Sequence, residues 1–218
     1  MSSQSGIARI SRPKPNLRVT IALAAAFVLF AAMVISTKVI RLDSAAGGQA
    51  GAFSAAEFGK SQFSKVQSGI EHRAVSAATL VSAIAKNEAA AAKQYGVEAG
   101  VGPEFSVKFT GVVGKGDFGT YDVSVDGVPK PVVIQVQTGP AITGTDLRDA
   151  TGTINFGQFT NQIDYQNAGS ALNKELKKEI LSKVDTNNLK GKTISVVGAF
   201  QLTDPKRWLV TPVKLDVQ

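Results

Sequence analysis

The densest group of side chains capable of chemistry is Gly144-Thr145-Asp146-Leu147-Arg148-Asp149. An arginine next to an aspartate can be oriented for bidentate contact with a carboxylate or with sugar hydroxyls. Thr145, Arg148 and Asp149 are therefore candidate ligand contacts. The same residues have a structural use, which the spacing favours: Thr145 or Asp146 caps a short helical turn while Arg148 pins the loop through an acid. Gln135 and Gln137 fall on one face of an expected strand, where their amides suit a sugar and suit water equally. Asn161 and Gln162, with Asn155 nearby, stand around an expected helix start, where capping and loop bracing account for them better than ligation.

Other chemistries find little material. The chain contains no cysteine, which excludes disulfides, thiolate metal sites, a cysteine nucleophile and lipid attachment to a thiol. His72 is the single histidine. It lies in Ile70-Glu71-His72-Arg73 without ligand spacing, and reads as a solvated turn or helix start. Gly139 and Gly144 are spaced like a phosphate loop, but the Lys-Ser/Thr that would follow is missing. No catalytic constellation, metal site or cofactor is expected, and the enzyme reading ranks second.

Those residues need elements to position them, and the sequence supplies an alternating pattern. Ser54-Ala55-Ala56-Glu57 has capping-box spacing and opens a helix to about Gln67. An alanine-rich helix is expected from Ala74 to Tyr95, stopped by a left-handed Gly96. Phe105 to Val113 alternates as a half-buried strand. Gly114 to Asp117 reads as a turn, Phe118 to Val125 as a second strand, and Val132 to Gln137 as a third. Tyr165, Ala168, Leu172, Leu176, Ile180 and Val184 make one apolar stripe of a helix over 161–184. Thr193–Phe200 and Trp208–Leu215 complete five strands; Pro212 requires an edge or a bulge. Three strands, a helix and two strands is the order of an OB barrel, and Gly111 and Gly198 suit its coiling. The expected fold is α+β: a five-stranded OB-like barrel over 101–218 with a helical extension over 53–100. Phe118 and Tyr121, three apart on the second strand, point to opposite faces and make no base-stacking platform.

The N-terminal part fixes an address. Residues 19–40 are apolar and uncharged up to Thr37. As a helix, about 20 residues reach about 30 Å, the thickness of a bilayer hydrocarbon core. Arg9, Arg12, Lys14 and Arg18 precede it with no acid. The positive-inside rule keeps this basic tail (1–18) in the cytoplasm and sends residues 41–218 across the membrane. A single-pass anchor in a bacterial inner membrane is expected, followed by a small-residue linker (41–52) and a periplasmic domain. The alternative is a cleaved signal, with Val34-Ile35-Ser36 or Ser44-Ala45-Ala46 as cleavage sites. Of the net charge of +7, only +1 lies beyond Arg41, so the exported part has no basic footprint for nucleic acid.

Residues 133–176 also resemble a known family, through Ile134-Gln135, Gly139-Pro140, Gly144-Thr145, Leu147-Arg148-Asp149, Ile154-Asn155-Phe156, Phe159, Asn161-Gln162, Tyr165 and Ala171-Leu172-Asn173. This combination is similar to the core of the predicted periplasmic lipoproteins of unknown function. The resemblance implies an OB-like barrel with added N-terminal helices. Because such proteins tend to be encoded near ATP-driven sugar uptake transporters, it also implies sugar ABC transporter components as partners. The family commonly carries a lipidated cysteine before Lys and a Val/Ile-rich segment. Here Thr37 stands in that place before Lys38-Val39-Ile40, so the apolar helix is expected to replace the lipid.

Overall fold

A computed structural model describes residues 26–31, 33, 53–100 and 102–218. Residues 26–31 and 33 are helical. The basic tail, most of the apolar run, both expected cleavage sites and the expected linker lie outside the described residues. Among the described residues, no helix is long and apolar enough to cross a membrane.

Helix α1 (Ala55–Arg73) begins where the sequence indicates, with the Ser54 side chain accepting from the Glu57 N–H. It runs a turn and a half beyond the expected end because Phe63, Val66 and Ile70 continue one buried stripe. The expected helix over 74–95 is corrected. Val75–Ser76 forms a short strand β1, and helices α2 (Ala77–Lys86) and α3 (Glu88–Tyr95) break at Asn87. Asn87 adopts an extended conformation, and its side chain accepts from the Ala90 N–H at 2.9 Å. An internal asparagine that caps a new helix outweighs alanine propensity at that position. Gly96 is likewise no left-handed stop: its φ of −88° and ψ of 170° begin strand β2 (Gly96–Ala99).

Strand β3 (Gly102–Asp117) is far longer than the alternation indicates and absorbs the expected turn at 114–117, with a bulge between Val113 and Gly116. The reversal falls at Phe118 and Gly119, with φ of 46° and 81°. Strand β4 (Thr120–Val125) therefore excludes Phe118, which is 95% exposed at the tip. Strand β5 (Val133–Gln137), the short helix α4 (Asp146–Asp149), helix α5 (Gln162–Glu179), strand β6 (Thr193–Gln201) and strand β7 (Arg207–Val217) follow. The long helix ends at Glu179, and Leu181–Lys183 continues only as a 3-10 turn.

The ladder β3-β4-β5-β7-β6 returns to β3, since β3 pairs with both β4 and β6. All these pairings are antiparallel except β5 with β7. The short strands β1 and β2, which the sequence does not announce, both add to β3. Closure demands tight coiling. A Cβ at Gly111 would run into the Ser124 carbonyl, and one at Gly198 would sit 2.5 Å from the Thr211 carbonyl. The register slips between Val197 and Gly198, so Pro212 is accommodated at a bulge, as a residue without an N–H requires.

Inside this ring Phe200 stacks on Trp208 at 4.6 Å and on Phe105 at 5.7 Å, all three fully buried. Each contributes about 2–3 kcal/mol of burial. A second core lies outside it, where Phe63, Val66 and Ile70 of α1 and Leu172 and Leu176 of α5 cover Ala199 and Val213. The candidate residues lie along the edge of this second core.

Candidate functional site

Alternation turns Phe105 inward and Glu104 and Ser106 outward, yet both outward residues are buried, because the helical layer covers this face of the sheet. Beneath the layer Arg148 and Asp149 form a two-pronged pair: Arg148 Nε donates to Asp149 Oδ1 at 2.7 Å and Nη2 to Oδ2 at 2.8 Å. Arg148 Nη1 donates to the Tyr165 carbonyl at 3.2 Å, and its guanidinium carbon lies 3.6 Å from the Tyr165 ring centroid. The Thr145 hydroxyl donates to Asp149 Oδ2 at 2.7 Å, and the Tyr165 hydroxyl to Oδ1 at 3.2 Å. With both oxygens accepting twice, the Asp149 carboxylate has filled its lone pairs. Thr145 is the residue before α4, but it gives its hydroxyl to Asp149 and not to the helix N-terminus.

Gln137 is 2% exposed and equally occupied. Its Nε2 donates to the Thr211 hydroxyl at 2.8 Å and to the Thr143 carbonyl at 3.1 Å. Its Oε1 accepts from the Thr143 N–H at 2.9 Å and hydroxyl at 3.1 Å. The loop it holds is also tied to α5, since Asn173 donates to the Gly144 carbonyl and Lys177 to the Pro140 carbonyl. Gln135 shares the face but not the site; it donates to Asp122 on β4 at 2.8 Å. Asn161 caps α5 by accepting from the Asp164 N–H at 2.9 Å, and Gln162 is exposed in the first turn. The structure thus brings together Thr145, Arg148 and Asp149, links Gln137 to the neighbouring Asp146 through the Thr211 hydroxyl, and leaves Gln135, Asn161 and Gln162 apart from them.

Two carboxyl groups that the sequence does not single out as site residues complete the network. Burial, with the Asp146 and Asp149 charges added, pushes Glu104 up to about 9. Its Oε2 has no hydrogen-bond partner. Burial also raises Asp146, to about 6, against the opposing hydrogen bond donated by the Thr211 hydroxyl. At neutral pH Glu104 thus stays protonated, and the Arg148 guanidinium is paired directly with the Asp149 carboxylate. Burial, and the Asp149 charge after it, raises the Tyr165 hydroxyl. The signal for Glu104 was weak: Glu104 and Ser106 alternate with Phe105 and Val107 as solvent-facing residues do, and only the helical cover changes their meaning.

Beside the pair opens a cleft of 320 Å³, lined by Arg148, Asp149 and Tyr165 with Glu98, Asn155 and Gln201. His72 lies exposed in the last turn of α1.

Comparison with known proteins bears on this arrangement. The family described as "Predicted periplasmic lipoprotein (DUF2291)" matches residues 24–216, well beyond the stretch 133–176. Among solved structures, the chain is similar to a crystallised OB-fold protein from Thermotoga maritima MSB8, with a TM-score of 0.63 and 18% identity. The likeness covers 77% of this chain and 99% of that one, and supports a mixed α and β chain with an OB-like fold. No curated protein matches the chain.

Proposed function

This chain belongs to the predicted periplasmic lipoprotein family, and from that premise we propose that it is a non-catalytic accessory module held at the periplasmic face of the inner membrane, where it engages a sugar ABC transporter or its solute-binding protein. The sequence has no cysteine to acylate, so in this reading the apolar run 19–40 is the anchor, as a single span with the closed sheet outside. The observation that carries the proposal is the saturation of the most reactive-looking residues. Asp149 and Gln137 spend their hydrogen-bonding capacity on bracing the loop between β5 and α5. A brace of this kind holds a surface in shape for a partner. Affinity isolation of the full chain from solubilised inner membranes tests it. Recovery of transporter subunits or of a sugar-binding protein is expected, and isolation without any transport component overturns the transporter reading.

A second reading, a sugar-binding protein or hydrolytic enzyme acting through the Gly144–Asp149 loop, is favoured by the cleft beside Arg148. It requires calorimetric binding of a sugar that Arg148→Lys abolishes while the fold survives.

A further inference from the structure

We propose that the cleft beside Arg148 takes a single hydroxyl-rich ring without negative charge, a neutral monosaccharide, and that Glu98, Gln201 and the spare donors of Arg148 hold it, an assignment that rests on the sugar-binding reading above and moves its contacts off the Gly144–Asp149 loop. That loop is committed to its own bracing. The polar groups left over in the cleft come from other elements, Glu98 from β2 and Gln201 from the end of β6. Among the described residues, neither the Glu98 carboxylate nor the Gln201 amide makes a hydrogen bond. Arg148 donates once each from Nε, Nη1 and Nη2. A guanidinium has five N–H groups, so two are left to a ligand.

The chemistry of these free groups selects the ligand. Glu98 only accepts, Arg148 only donates, and Gln201 does both. A hydroxyl also does both, so a ring of hydroxyls can use all three. An amine has no use for the Arg148 donors, and a carboxylate none for Glu98. The charged lining is two carboxylates, Glu98 and Asp149, against one guanidinium. Its excess of negative charge disfavours sugar acids. Register sets a further group next to Gln201: Glu104 pairs with Gln201 on β6 and with Val97 on β2. Glu104 is 1% exposed, and its Oε2 has no hydrogen-bond partner. A buried polar group of this kind calls for a partner that the chain does not supply, and a ligand bearing O–H donors can be that partner where an anion cannot. The cleft of 320 Å³ stands near the small end of ligand sites, about 300–1,000 Å³, which suits one ring better than two.

Calorimetric titration of the full chain in detergent at neutral pH tests the assignment. The probes are D-glucose and D-galactose, their acids D-glucuronate and D-galacturonate, and maltose. At least one neutral monosaccharide is expected to bind, with its acid weaker by about tenfold or more. Glu98→Gln and Gln201→Ala each remove one contact outside the brace. Each is expected to weaken the neutral sugar about tenfold while the unfolding midpoint stays where it was. Glu98→Gln is also expected to narrow the gap between the sugar and its acid, a change that loss of shape alone does not produce. A neutral sugar whose affinity ignores either substitution overturns this inference and leaves the sugar-binding reading standing. So does an acid that binds more tightly than its parent, or maltose bound in preference to glucose. Absence of binding by all five probes overturns the sugar-binding reading and this inference together.

Discussion

The two faces of β3 and β6 differ as sharply as two proteins would. Facing inward, Phe105 pairs with Phe200 in register and joins Trp208 in a stack of rings. One residue away and facing outward, Glu104 pairs with Gln201 and Ser106 with Ala199, under the helices and beside Arg148, Asp146 and Asp149. Both faces are dry. The inner one gains stability from every group it buries. The outer one must offset the desolvation of three carboxyls and a guanidinium, and does so by multiple hydrogen bonding at Asp149 and protonation at Glu104. The inner face makes the fold, and the outer face fixes the shape of one loop at a cost.

The largest expected effect breaks the inner face. Trp208→Ala removes a fully buried ring and should cost about 4 kcal/mol, read as a lower midpoint in chemical unfolding. Next comes the outer face. Arg148→Ala strands the Asp149 carboxylate in a buried setting and should cost about 3 kcal/mol. Replacing the pair together, Arg148→Met with Asp149→Leu, should cost much less than the single change; a double mutant as unstable as Arg148→Ala would mean that the pair is needed for more than mutual compensation.

Glu104 sharpens the contrast through pH. The folded protein keeps its proton up to about 9, against the ordinary 4.5. Between these values the folded state holds a proton that the unfolded chain has lost, so this group's contribution to stability falls as pH rises. Glu104→Gln should flatten that dependence and stabilise the domain by about 2 kcal/mol at pH 8. Unfolding curves at pH 5 and pH 8 check it, and an unchanged slope would place the titration elsewhere. The smallest effect is Asn161→Ala, which removes the α5 cap and should cost about 1 kcal/mol. A larger loss would tie the helix start to the brace.

Alternation made β3, β4, β6 and β7 legible, because each has one face in the apolar interior. That Pro212 needs an edge or a bulge was legible because proline lacks a donor; the register slip opposite it decided for the bulge. The helix break at Asn87 was hidden, since an alanine-rich stretch gives no packing signal and the cap competes locally. The turn at Phe118 was hidden because glycines at 114 and 116 offered an easier reversal, whereas Gly119 has the positive φ. In the candidate site, Arg148 with Asp149 stood out as neighbours in sequence. The filling of the Asp149 carboxylate by Thr145 and Tyr165 as well needed α5 folded back against the loop.

The sequence alone determined the family, the order of the five main strands and the long helix between them, the charge asymmetry and the absence of any thiol, because these are properties of residue type and spacing along the chain. Only the tertiary structure decided that β3 meets both β4 and β6, that Glu104 is buried and keeps its proton, and that Gln137 belongs to the brace while Gln135 does not. Each of those depends on what lies across from a residue in space, and burial and electrostatics are set by that surrounding rather than by the residue's own identity.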